Sequence, residues 1–184
     1  MKTNTIRVIA GKYKNRRLKF PSIDGLRPTS DQLKETIFNW LTPYIHGSIC
    51  IDAFAGSGSL GIESLSRGAE KAMFYELNAK AINHIKENLQ LLEITNCEVH
   101  KRDSIKALSN IEIECSDLII FLDPPFNKNL INQCLQAISD NTNISSGTIV
   151  YIETEKTAEL ELANYEILKE KNTATISAKL ITKI

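Results

Sequence analysis

Apolar positions along this 184-residue chain fall into short runs separated by stretches of helical period. Ile49-Cys-Ile51 reads as the end of a buried strand, and residues 72–75, 97–100 and 148–152 read as further strands. Residues 117–122 are mostly a continuous apolar run, the mark of a parallel strand covered on both faces. Between the strands, Leu33, Ile37, Phe38, Trp40, Leu41, Tyr44 and Ile45 recur at helical intervals, which predicts a core-facing helix over residues 30–42. Thr29 and Gln32 have the spacing of a capping box at its start, and Pro43 and Gly47 end it. Helices are also predicted over residues 59–66, stopped by Arg67-Gly-Ala69, and over residues 78–92, where Ile82, Ile85, Leu89 and Leu92 share a face. Shorter ones follow at residues 104–108 and 130–138, with a polar loop over residues 139–147.

The two ends of the chain have a different texture. Ile6, Val8 and Ala10 lie on one side of a first strand, and Leu18 and Phe20 on one side of a second. Gly11-Lys-Tyr-Lys-Asn-Arg-Arg17 lies between them, where Asn15 can take the left-handed backbone of a tight turn, so a basic hairpin is predicted. At the other end, helix-like Leu160-Glu-Leu162 is followed by strand-like residues 165–171 and 174–184, read as an antiparallel hairpin at a sheet edge.

The candidate chemistry sits at predicted strand tips. Gly56, Gly58 and Gly61 form a turn from strand to helix that lets bare backbone approach a nucleotide, a pattern shared by dinucleotide enzymes and by enzymes that use S-adenosylmethionine. Asp52 separates the two: a carboxylate at that tip suits a ligand carrying an ammonium and a sulfonium and repels a pyrophosphate. Glu76, at the next tip, has the place of a residue that accepts both ribose hydroxyls of an adenosine. Asp103 either faces the adenine amine or caps the helix that follows it. Asp123-Pro-Pro-Phe126 closes the buried run. Its prolines remove N–H donors and stiffen the chain, so carbonyl and carboxylate acceptors are held ready for both hydrogens of an aromatic amine, and Phe126 offers a face for the base.

Charge adds a partner. The formal net charge is zero, yet Lys2, Arg7, Lys12, Lys14, Arg16, Arg17, Lys19 and Arg27 face only Asp24 within the first 30 residues. Such a basic end suits an anionic partner. Tyr13 among the cations adds the reading of a base beside phosphates. Cys50, Cys97, Cys115 and Cys134, like His46, His84 and His100, are scattered without metal-ligand spacing, so no metal is expected and reduced core thiols are. No apolar run is long enough to cross a membrane and the N-terminus lacks the apolar stretch of a signal peptide, which makes the cytoplasm the expected compartment.

Asp52-Ala-Phe-Ala-Gly-Ser-Gly58, Glu76 and Asp123-Pro-Pro-Phe126 together resemble a class I methyltransferase. With Arg7-Val-Ile-Ala-Gly-Lys-Tyr-Lys14, Arg27-Pro-Thr-Ser-Asp31 and the run from Gly56 to Gly68, the chain resembles the bacterial RsmD family, which methylates N2 of a guanine in 16S ribosomal RNA. Asn15 and Ala53 stand where that pattern has Gly and Leu. The resemblance implies an α/β, Rossmann-like fold with a seven-stranded, mostly parallel sheet. Residues 1–28 would be an RNA-binding basic hairpin and linker, and residues 29–184 the methyltransferase domain. S-adenosylmethionine would lie on Asp52, Phe54, Gly56, Gly58, Glu76 and Asp103. Asp123, Pro124 and Phe126 would hold the target base, and Arg7, Lys12, Tyr13, Lys14, Arg16, Arg17, Lys19 and Arg27 the RNA. The expected partner is 16S RNA within an assembling or assembled small subunit, met by a monomer. The same strand-tip logic would also serve a DNA amine or protein-glutamine methyltransferase, whereas a non-catalytic RNA-binding module would have no use for Glu76 and Asp123.

Overall fold

The computed structural model describes residues 3–21, 29–113, 117–125 and 129–184. Its centre is a seven-stranded sheet in the order β5-β4-β3-β6-β7-β9-β8. The strands are β3 (Ile49–Asp52), β4 (Lys71–Glu76), β5 (Cys97–Lys101), β6 (Leu118–Leu122), β7 (Ile149–Glu155), β8 (Tyr165–Asn172) and β9 (Ile176–Lys183). From β5 to β7 every pairing is parallel, and β9 alone runs against the others, antiparallel to both β7 and β8. The closing hairpin is therefore inserted rather than appended, with β9 inside and β8 at the edge. The chain builds outward from β3 to β5, then returns to place β6 on the other flank of β3. That reversal opens a crevice at the carboxyl ends of β3 and β6.

Each face has its own core. Helices α1 (Asp31–Leu41), α2 (Ser59–Ser66) and α3 (Ala79–Leu91) cover one, where Ile37, Phe38, Ile62, Ile85, Phe121 and Tyr151 pack together. Helices α4 (Ser104–Ser109) and α5 (Leu130–Asp140) cover the other, with Leu108, Leu135, Ile120 and Ile152. All five residues of β6 are buried, as a strand between two helical layers requires. Two expectations need correction. Helix α1 is capped by Ser30, whose hydroxyl accepts from the Leu33 N–H, and not by a Thr29–Gln32 box. Ser30 wins because its extended backbone aims the hydroxyl at the third helical N–H. Residues 160–162 form no helix; Leu160 and Leu162 pack as part of the β7–β8 connection.

Strands β1 (Thr3–Arg7) and β2 (Arg17–Pro21) form the antiparallel N-terminal hairpin, with Asn15 in the left-handed region at φ +67°. Ile6, Val8, Leu18 and Phe20 belong to the same core as α1, α2 and α3. The attachment is polar as well. The buried Glu63 carboxylate accepts from the N–H groups of Ile9 (2.8 Å) and Ala10 (3.0 Å) and from Arg67 Nε (2.8 Å). Lys34, also buried, stands 4.0 Å from the same carboxylate and donates to the Arg7 carbonyl at 2.6 Å. Asn88 of α3 pairs with the Lys19 backbone through both its amide nitrogen and its oxygen, acting as one more strand rung. Gly11 has φ +80°, and a Cβ there would lie 1.8 Å from the Ser66 carbonyl, so only glycine lets the loop lie on α2.

Removing the Glu63 carboxylate would strand a buried lysine and two backbone donors. Glu63→Ala is expected to cost about 3–5 kcal/mol, the range for breaking a buried ion pair, with Glu63→Gln costing less because its amide oxygen still accepts. Urea unfolding of both variants checks this; a loss under about 1 kcal/mol for the alanine variant would refute the anchoring role.

Candidate active site

The carboxyl edge of the sheet gathers the acidic strand tips. Cα partners pair Asp52 with Phe121 and Phe121 with Tyr151, so Asp52, Phe121 and Tyr151 form one row across β3, β6 and β7. Side chains alternate along a strand. Asp123 and Glu153, each two residues beyond that row, therefore point to the same face as Asp52, the one covered by α1 and α2. Asp52 is buried and accepts from the Gly61 N–H of α2 at 3.0 Å. Burial, opposed by the Gly61 hydrogen bond and helped by the smaller effect of the Glu76 charge, pushes its carboxyl up to about 7. Burial also raises Asp123, with further push from Glu153 and Asp52, and raises Glu153, which the Tyr151 hydroxyl partly offsets at 3.0 Å. Three carboxyl groups thus share a sparsely hydrated edge, where a cation or a set of N–H donors would relieve them.

The glycine turn lies beside this edge. Gly56 and Gly58 have φ +51° and +76°, a left-handed backbone that side chains resist, and Gly58 precedes α2 without any side-chain cap. Ser59, the first residue of α2, has a buried hydroxyl without a hydrogen-bond partner. Glu76 reaches back across the turn: one oxygen accepts from the Gly56 N–H and the other from the Leu77 and Asn78 N–H groups, all at 2.8 Å. That leaves the Gly56-bonded oxygen a lone pair for a ribose hydroxyl, while the other already takes two donors. Phe54 is half-buried against the α4–α5 core. Asp103 caps α4, its Oδ1 accepting from the Lys106 N–H at 2.9 Å, which leaves Oδ2 for another donor. Buried acids, an unpartnered hydroxyl, left-handed glycines and a ribose-suited acid fit a cationic nucleoside.

Beyond β6, Pro124 and Pro125 border a cleft of about 630 Å³, lined also by Leu130 and Ile131 at the start of α5, by Glu155 at the end of β7 and by Leu160 in the connection that follows. That volume suits a flat base or nucleoside. Phe126 and Arg27 lie outside the described residues, as does Cys115.

The cations are elsewhere. Lys12, Lys14, Arg16, Arg17 and Lys19 are exposed on the hairpin; Arg7 pairs with Asp31 at 3.1 Å. Tyr13 is the aromatic expected beside a base. It is half-buried against the core, and the Lys12 ammonium stands 5.2 Å over its ring. Sequence reasoning missed Glu153, Glu63 and Lys34. Glu153 was detectable by the rule that found Asp123, an acid at the end of an apolar strand; the burial of Glu63 and Lys34 needs the hairpin in place.

Comparison with known proteins gives the geometry a lineage. The family model described as conserved hypothetical protein 95 matches residues 6–182. The Haemophilus influenzae protein named ribosomal RNA small subunit methyltransferase D is 43% identical over 178 residues, 95% of this chain and 92% of the relative. This chain belongs to the RsmD family. Within the RsmD fold, the solved structure of yhhF from Escherichia coli superposes with a TM-score of 0.86 at 33% identity, covering 98% of each chain. The Thermus thermophilus 16S rRNA N2 methyltransferase RsmC, solved with AdoMet and guanosine, shares the fold at a TM-score of 0.72 and 14% identity, over all of this chain and half of that one.

An acid whose folded pKa is raised destabilises the fold once it ionises. Stability from the protonated Asp52 is full below its ordinary value of 3.8 and is lost as pH climbs toward about 7. Asp52→Asn retains an acceptor for Gly61 and cannot ionise. Its melting temperature relative to the parent should therefore rise from about pH 4 to 8; a constant difference in calorimetry across that range would contradict the assignment.

Proposed function

We propose that this RsmD-family protein transfers the methyl group of S-adenosylmethionine to the exocyclic N2 amine of a guanine in 16S ribosomal RNA. The observation that carries the reading is Asp123-Pro124-Pro125 at the end of β6, adjoining both Asp52 with its glycine turn and the base-sized cleft. S-adenosylmethionine supplies an activated methyl on a sulfonium, and the residues that would hold it are Asp52, Phe54, Gly56, Gly58, Glu76 and Asp103. Asp52 and its acidic neighbours favour the ligand's positive charges, Glu76 a ribose hydroxyl, and the spare oxygen of Asp103 the adenine amine.

The protein's task is alignment and preparation of a poor nucleophile. The N2 lone pair of guanine is delocalised into the ring. Hydrogen bonds from the amine to the Asp123 carboxylate and the Pro124 carbonyl localise that pair toward the donor. Neither proline brings an N–H to compete for the site. A guanine must leave its stack to enter, at a cost of a few kcal/mol, and Phe126 is proposed to return part of this by stacking. The hairpin residues Arg7, Lys12, Lys14, Arg16, Arg17 and Lys19, with Arg27 following, would bind the phosphates. Tyr13 would serve by fixing Lys12 rather than by stacking a base. We place the reaction on an assembling or assembled small subunit, in the cytoplasm, performed by a monomer. Among the described residues no helix is long and apolar enough to cross a membrane.

Small subunits from cells lacking the activity, incubated with the protein and labelled S-adenosylmethionine and then digested, should yield N2-methylguanosine; any other methylated nucleoside would overturn the reaction assigned. In the same assay Asp123→Ala should lose at least about a hundredfold in turnover while cofactor affinity by calorimetry stays within about threefold. Changing Lys12, Lys14, Arg16 and Arg17 together to Gln should weaken RNA binding and flatten its dependence on salt, by up to about four units of log–log slope if each meets a phosphate. An unaltered slope would move the RNA surface off the hairpin.

A further inference from the structure

Glu153 is a buried acid outside the machinery assigned so far. Strands β6 and β7 pair in parallel with Leu122 opposite Ile152, so Asp123 and Glu153 are the next residues on neighbouring strands, with backbones about 4.8 Å apart. Their side chains leave the sheet on the same face. Glu153 is only 6% exposed, and its Oε2 accepts from the hydroxyl of the fully buried Tyr151 at 3.0 Å. A rigid aromatic thus fixes one oxygen and leaves Oε1 for a ligand. Glu153 also borders the cleft that Pro124 and Pro125 open. Its position separates it from the cofactor's charges: Asp52 is on β3, with β6 intervening, so the two strands are about 10 Å apart.

Resting on the function proposed above, we infer that Glu153 selects guanine by accepting the ring N1–H while the neighbouring Asp123 holds the N2 amine. Guanine presents N1–H and N2–H as adjacent donors on one edge, which two adjacent carboxylates match. Adenine and cytosine place a ring nitrogen lone pair beside their amine, and a carboxylate facing that lone pair repels it. The pair also answers the cost of burying two acids side by side, since burial and mutual repulsion raise both and two N–H donors from the base offset that repulsion. Tyr151 is the positioning residue that holds Glu153 in this orientation.

The test substitutes 2-aminopurine for the target guanine, in small subunits reconstituted with 16S RNA carrying the single replacement. This base keeps the 2-amine but has an unprotonated N1. The wild-type protein should methylate guanine about 10–100-fold faster in kcat/KM than 2-aminopurine, the range for a hydrogen bond to a charged group. In Glu153→Gln, whose amide can donate to the bare N1, that ratio should fall to within about threefold, with cofactor affinity and melting temperature close to the parent. Tyr151→Phe should reduce the ratio part-way. Equal rates for the two bases with the wild type, or an undiminished ratio in Glu153→Gln, would overturn the inference. Absence of any guanine methylation by the wild type would instead overturn the function on which it rests.

Discussion

The parallel register of β3, β6 and β7 is the constraint on which the site depends. Because the pleat alternates and the three strands share one rung at Asp52, Phe121 and Tyr151, acids at the strand tips all emerge on one face. A slip of one residue between β6 and β7 would turn Glu153 to the opposite face and put Ile152 in its place. The register is held by what lies beneath: Phe121 stands 5.9 Å from Phe38 and 6.2 Å from Tyr151, ring centre to ring centre, in the interior that α1 closes. Packing at the middle of the sheet therefore sets the chemistry at its edge. The edge gives little stability in return, because Asp52, Asp123 and Glu153 are each raised by burial.

A buried charge is treated differently at the hairpin. Glu63 there has Arg67, Lys34 and two backbone donors, so its carboxylate is satisfied from several directions. Glu63 is satisfied within the chain, whereas Asp52 and Glu153 each have a single donor there, and on the proposed reading the edge acids take their remaining donors from bound ligands. The anchoring also explains how a basic loop can be exposed without being loosely tethered. Ser66 accepts from Lys12 N–H through its carbonyl at 2.7 Å and from Tyr13 N–H through its hydroxyl at 3.0 Å, so α2 fixes the loop backbone while the cationic side chains project. The helix that begins at the glycine turn is the helix that carries the loop. A shift of α2 would move the glycine turn and the basic loop together.

Much of this was legible in the sequence, and the reason is local. Continuous apolar runs such as residues 118–122 and helical spacing such as Ile82, Ile85 and Leu89 report burial directly. Strand-tip acids follow from the same runs: Asp52, Glu76, Asp123 and Glu153 each stand at or just beyond the end of one. What the sequence withheld depends on contacts between distant segments. Lys34 reads as a solvated helix residue until Arg7 and Glu63 are brought to it from 27 and 29 positions away. Tyr13 reads as an open aromatic until it is packed on the core with Lys12 above it. The insertion of β9 between β7 and β8 is a pairing choice that no local pattern expresses.

The distribution of charge completes the argument. A chain with no net charge clusters five exposed cations, Lys12, Lys14, Arg16, Arg17 and Lys19, on the hairpin and sets the buried Asp52 and Glu153 with the half-buried Asp123 at the sheet's carboxyl edge. On the proposed reading, phosphates would meet the first through salt-sensitive, sequence-blind attraction. N–H donors and cationic groups would meet the second, where low hydration strengthens each contact. If the hairpin's affinity is sequence-blind, discrimination among bases falls to the acids at the edge, and an RNA backbone that strayed there would be repelled by them.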